Sequence, residues 1–182
     1  VPLHGFFWHP RDLMGIADHL TMFCTDPALM HEINKELLEF NVAVVRMLYA
    51  EGVPAVICVS EDMAFRLGSM ISRDMFDEFM APCHRVLAGA IRQEFCLAAL
   101  DSDGDVSELT SWFAETGYQC INPLERQTGM DLMAMREANP GMAFLGGYNK
   151  LVMSRGPEAI HAEFESLKPL FRTGRFLPAV DH

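Results

Sequence analysis

Residues able to move protons or grip a charged ligand gather at a few points along the chain: Trp8-His9, Ser60-Glu61-Asp62, Asp101-Ser102-Asp103-Gly104-Asp105, Asn122 with Glu125, Tyr148-Asn149-Lys150, and Asp181-His182. Two carboxylates held close together raise the pKa of one of them, which suits a general acid. Glu61 with Asp62 and Asp101 with Asp103 offer such pairs, and the second pair is equally a candidate for metal binding. Arg66 and Lys150 are the cations best placed to take substrate carboxylates, by fork or by point charge. Trp8 and His9 offer a stacking wall for a flat ligand. Each group also has a plainer structural reading. Glu61 or Asp62 can pair with Arg66 or cap a helix, Trp8 can be core, and Asp105 with Glu108 has the spacing of a capping box.

These clusters follow short apolar runs at 1–7, 55–59, 95–100, 118–121, 142–145 and 176–180, the natural strand candidates. The gaps between runs hold helices at about 12–23, 26–51, 72–92, 105–115, 130–138 and 156–174. Asp26-Pro27 is a helix start with Asp as cap and Pro in the first turn. Ser72 is a second cap. Strand and helix alternate throughout, which predicts a parallel sheet with covering helices. In a parallel β/α barrel the C-terminal strand ends converge on one face, and active sites sit there. Remote clusters would therefore share one cavity.

The expected fold is α/β, a partial TIM (β/α)8 barrel of about six β/α units in a single domain. A complete barrel takes about 250 residues, and this chain has 182. Residues 1–182 are expected to be the C-terminal portion of a longer protein lacking its N-terminal units. The open sheet then leaves two unpaired edges, which invite association, and a homodimer is expected of the intact protein. A formal charge of −11 with only 14 Lys and Arg argues against a nucleic-acid partner. No run approaches ~18 uninterrupted apolar residues, so no membrane span is expected. Five scattered cysteines without a C-x-x-C pair read as reduced thiols of a cytoplasmic protein. His19, His31 and His161 read as solvated helix faces.

Several segments also resemble the uroporphyrinogen decarboxylase superfamily, which includes cobamide-dependent methyltransferases. GFFWHPRDL at 5–13 is similar to that family's G-x-x-G-x-P-x-T-L segment, apart from Trp8 and Asp12. MISRDMFDEFMAP at 70–82 is similar to its x-I-S-P-x-x-F-x-x-F-x-x-P segment, and DSDGDVSEL at 101–109, GGYNK at 146–150 and the stretch 176–182 follow in order. The resemblance implies the barrel. It places His182 on a substrate-contacting histidine and Glu61-Asp62 on an acidic strand end. The decarboxylase's site tyrosine falls on Ile16 and is missing. The methyltransferase's zinc-binding His-x-Cys falls on Asp101 and Asp103, and its later Cys has no counterpart, so harder ions would suit the position.

The activity this implies is carboxy-lyase chemistry of porphyrin biosynthesis: loss of CO2 from tetrapyrrole acetate side chains without a cofactor. Asp62, Asp103 and His182 would be catalytic, with Glu61, Trp8, His9, Arg66, Tyr148 and Lys150 binding the tetrapyrrole-like substrate. One alternative is methyl transfer with a corrinoid protein or thiol, using a metal ion on Asp101, Asp103 and His182. Another is a non-catalytic barrel that binds a ligand.

Overall fold

The computed structural model describes residues 1–180. In chain order the elements begin with strand β1 (Pro2–His4), helix α1 (Trp8–Met14), α2 (Ile16–Thr25) and the long α3 (Pro27–Glu51). β2 (Val56–Ser60) leads into a hairpin of β3 (Ala64–Phe65) and β4 (Gly68–Ser69). A helical stretch follows, made of α4 (Arg73–Met75), a π turn (Phe76–Met80) and α5 (Ala81–Ile91). Then come β5 (Leu97–Asp101), α6 (Ser107–Thr116), β6 (Cys120–Leu124), α7 (Leu132–Ala138), β7 (Ala143–Gly147), α8 (Pro157–Arg172) and β8 (Phe176–Ala179).

β1, β2, β5, β6, β7 and β8 lie side by side in that order as one 6-stranded sheet, parallel throughout. This is the wall of a β/α barrel, as the alternation predicted. The central strands bury one face under the helices, where Ile57, Val59, Ala98, Leu100 and Ile121 meet Phe76, Leu87, Phe113 and Ile91 in one core. The other face is concave, carrying Cys58, Ala99, Cys120 and Asn122 around a hollow of about 640 Å³. Burial pushes the Cys58 thiol up to about 12 and that of Cys120 to about 11, so both stay protonated.

Local signals decide most boundaries. Asp26 caps α3 by accepting from Leu29 N–H at 3.1 Å, and Ser72 caps α4 by accepting from Met75 N–H at 3.2 Å. α3 turns polar residues inward as well as apolar ones: Asn41 donates to the His4 carbonyl at 2.9 Å and Asn34 to that of Phe79 at 3.0 Å. Among the described residues no helix is long and apolar enough to cross a membrane.

Three expectations need correction. The single helix expected at 12–23 is two helices broken at Gly15, whose φ of +81° leaves helical space. Asp105 does not close a capping box. Its carboxylate instead accepts from the backbone and hydroxyl of Ser107, at 3.0 and 2.6 Å. His19 is not solvated: it is fully buried between Phe7 and Phe23, with ring centroids at 4.7 and 4.9 Å.

Candidate active site

The strand registry sets four polar side chains at one level. His4 pairs with Ser60, Ser60 with Asp101, and Asp101 with Asn122. The Asn122 amide donates to Asp101 at 3.2 Å, so the row is joined across β5 and β6. Past this level the chain turns outward. Glu61 and Asp62 both donate their backbone N–H to the Asp101 carbonyl, at 2.8 and 3.3 Å, and Ser102 N–H reaches the Asn122 carbonyl at 2.9 Å. The Ser102 hydroxyl also accepts from Met63 N–H at 3.1 Å. The loops after β2 and β5 are thus tied to each other.

Two cavities open here. The larger, about 650 Å³, is lined by Arg11, Asp62, Phe65, Arg66, Asp103 and Glu125 among others. The smaller, about 380 Å³, is lined by His4, Trp8, Ser60, Asp62, Asp101 and Asp103, with Pro2 and Leu3. Asp62 and Asp103 belong to both, so a ligand in either cavity meets the same two carboxylates.

Consecutive residues Glu61 and Asp62 go opposite ways. Asp62 adopts φ +41°, an uncommon conformation for a residue with a side chain, and turns into the mouth. There Arg11 donates to its carboxylate at 2.7 Å and to its carbonyl at 2.8 Å, while the guanidinium lies 4.4 Å from the Trp8 ring centroid. Glu61 goes inward and is fully buried. Its carboxylate accepts from the backbone N–H groups of Phe6 and Phe7 at 2.7 and 2.6 Å, with that of Trp8 at 3.4 Å, and His84 Nε2 lies 2.9 Å away. His84 Nδ1 is 3.0 Å from the Tyr118 hydroxyl. Burial, and then the charge of Glu61, hold the Tyr118 hydroxyl well above its ordinary pKa. Tyr118 therefore keeps its proton and shares one hydrogen bond with Nδ1, while Nε2 lies beside Glu61 without an aligned hydrogen bond.

The hairpin β3–β4 overhangs the larger cavity. The Phe65 carbonyl accepts from Asp105 N–H at 2.9 Å, and Gly104 lies so close beneath that a Cβ would come within 2.8 Å of that same carbonyl oxygen. Gly104 N–H in turn donates to Glu125 at 2.7 Å. The loop bearing Asp103 is pinned between the hairpin and the turn after β6.

A model of the family described as uroporphyrinogen decarboxylase (URO-D) matches residues 4–169. The chain belongs to that family. Its members are generally enzymes, and the mouth of the barrel is where such a fold holds its chemistry. Among solved structures the chain is similar to a methyltransferase from Methanosarcina mazei, with TM-score 0.74 and 17% identity over 98% of this chain. It spans 51% of that structure's length. No match is found among curated proteins.

Set against this URO-D mouth, the sequence-derived residues divide. Asp62, Asp103, Trp8, Arg66 and Asp101 line one or both cavities. Glu61 lines neither cavity: it is fully buried, and its carboxylate accepts from the turn at Phe6-Phe7. His9 lies outside both linings and sets its ring against His4 at 5.4 Å. Tyr148 is buried against Phe164 in a separate apolar hollow of about 270 Å³ beside α8. Lys150 opens the 3-10 segment Lys150–Arg155 and lines neither cavity. His182 lies outside the described residues.

Arg11 is the main residue that the sequence reading missed. It stands three positions after Trp8, and i, i+3 spacing puts both on one helix face. A cation one turn into the helix after a strand end was the available signal.

Proposed function

We propose that the mouth is a proton-transfer site, and that this URO-D chain carries part of a decarboxylase acting on acetate side chains of a tetrapyrrole. The observation that carries the reading is the pair Asp62 and Asp103, shared by both cavities. Protonation of a pyrrole ring places a positive charge beside these carboxylates, which stabilise it electrostatically. The electron pair of the breaking C–CO2 bond then flows toward that cation. A proton then takes the place left by CO2 on the methylene carbon, and the proton first added to the ring returns to the carboxylates at the mouth, which restores the neutral pyrrole. Trp8 offers an aromatic face to a flat ligand, and Arg66 a fork for its remaining carboxylates. Nothing in this sequence of steps calls for a cofactor.

The test is turnover of uroporphyrinogen by the intact protein, followed by CO2 release. Asp62→Asn and Asp103→Asn should each slow release by about 10²–10⁴-fold, the range for loss of a positioned acid or base. Unchanged release in both variants, or no turnover in the parent, overturns the proposal.

A second reading is methyl transfer, the activity in the name of the structurally similar Methanosarcina protein; here it would use a metal ion with a corrinoid protein or thiol. Its ligand set would be Asp101, Asp103 and His182, the last outside the described residues. Among the described residues no group of three or more His, Cys, Asp or Glu stands ready to hold a metal ion. Asp101, one of the two carboxylates that reading needs, is oriented by the Asn122 amide, as a ligating carboxylate would be. Stoichiometric metal in the intact protein, lost in Asp103→Ala, would favour methyl transfer over decarboxylation.

A further inference from the structure

We infer that buried Glu61 is a positioning residue, which with His84 and Tyr118 holds Arg11 on Asp62 at the mouth. The inference starts from a contrast of burial. Glu61 and His84 are both fully buried, an environment in which an unpaired charge is costly. The chain nevertheless keeps a carboxylate there and supplies it with two short backbone N–H bonds and an imidazole.

Its use is geometric. The N–H groups it holds belong to the turn that launches α1 from β1. Gly5, the residue before that turn, has no room for a side chain, because a Cβ there would stand 2.2 Å from the Glu61 carboxyl carbon. The direction of α1 is therefore set by one buried carboxylate. α1 carries Trp8 and Arg11, and its direction decides whether Arg11 reaches the carboxylate and carbonyl of Asp62.

The far end of the relay fixes the near end. The Tyr118 hydroxyl holds Nδ1 of His84, the ring stands edge-on to Phe6 and Phe113, and Nε2 is left 2.9 Å from the Glu61 carboxylate, an ion-pair distance without an aligned hydrogen bond. Contacts 53 to 55 positions apart in sequence thus tie the residue after β2 to the turn before α1, and His84 brings in α5. Its meaning for catalysis rests on the mouth being the ligand site, but the relay itself is tested without substrate.

In a Trp112→Phe background Trp8 is the sole tryptophan, so its emission reports on α1. The hindered guanidinium resonances of Arg11 report on its grip on Asp62. Glu61→Gln exchanges one acceptor oxygen for a donor facing N–H groups. It should shift Trp8 emission to the red, raise its quenching by acrylamide, and abolish the hindered Arg11 signals. Gly5→Ala, which leaves the carboxylate in place but presses on it, should do the same. A folded variant of either kind with unchanged Trp8 and Arg11 signals overturns the inference. The mouth variant Arg11→Gln gives an arm that does not depend on core substitutions. It should free Trp8 while the amides of Phe6 and Phe7 remain protected from hydrogen exchange. Loss of that protection would mean that the mouth pair holds the buried clamp, the reverse of what is inferred. Absence of turnover in the parent, with the Trp8 and Arg11 signals changing in the variants as stated, would count against the decarboxylase reading alone.

Discussion

Arg11 and Asp62 meet twice across 51 positions of sequence, through the carboxylate at 2.7 Å and through the carbonyl at 2.8 Å. Neither side chain is more than about a quarter exposed, 15% for Arg11 and 27% for Asp62. The bond therefore lies between the weak exposed ion pairs and the costly buried ones.

Arg11→Gln should destabilise the fold by about 1–2 kcal/mol, above the exposed-pair range because charge-assisted bonds are lost from a half-buried site. A double-mutant cycle with Asp62→Asn, read by urea unfolding, should show the two effects to be non-additive. Strict additivity would mean that the pair does not form in solution.

Gly104→Ala should be among the most damaging small substitutions. The added methyl meets backbone on the hairpin at 2.8–2.9 Å, and φ is +87°. Close contact with backbone and positive φ together are expected to cost about 2–4 kcal/mol. The hairpin and the Asp103 loop should loosen together, seen as parallel loss of amide protection at Asp105 and Gly104. Protection retained at both positions would show that the close approach is not needed.

Much of the scaffold was legible because its signals are local. Asp26-Pro27 and Ser72 announce their helices by the chemistry of the first turn, and β2 and β5 by short apolar runs that end in acids. The hairpin Ala64–Ser69 was not legible, since a two-residue strand carries no period and its support comes from Gly104 and Asp105, far off in sequence. Glu61 and Asp62 show the same limit at the site. Adjacent acids at a strand end read as a pair aimed at one cavity. Which of the two turns inward depends on the φ of Asp62 and on donors waiting at Phe6 and Phe7. His19 was misread for a related reason: helix periodicity gives a face, not what packs on it.

The hairpin should act on ligands rather than on stability. Phe65 is 71% exposed and Leu67 94% exposed, and Phe65 lines the larger cavity. Replacing both by Ser removes little buried area, so stability should move by less than about 0.5 kcal/mol. Binding of a flat apolar ligand at the mouth should weaken, measured by titration of tetrapyrrole fluorescence. Equal affinity in the double variant would place the ligand elsewhere.

His19 gives the protein a pH dependence of known sign. Burial, aided by the nearby Arg11 charge and opposed by Glu61, pushes its imidazole down to about 4. In the unfolded chain it titrates near 6.5. Above about pH 6.5 both states are neutral at this residue and it contributes no slope. As pH falls below that value the unfolded chain takes up a proton that the native state refuses. Stability is therefore lost progressively down to about pH 4, by at most about 3 kcal/mol at this one group. Neither ring nitrogen has a hydrogen-bond partner, so His19→Phe removes two unsatisfied polar atoms and keeps a ring between Phe7 and Phe23. The variant should match or exceed the parent at pH 7 and lose less stability between pH 6.5 and 4. Parallel curves for the two proteins across that window would show that His19 does not titrate as its burial requires.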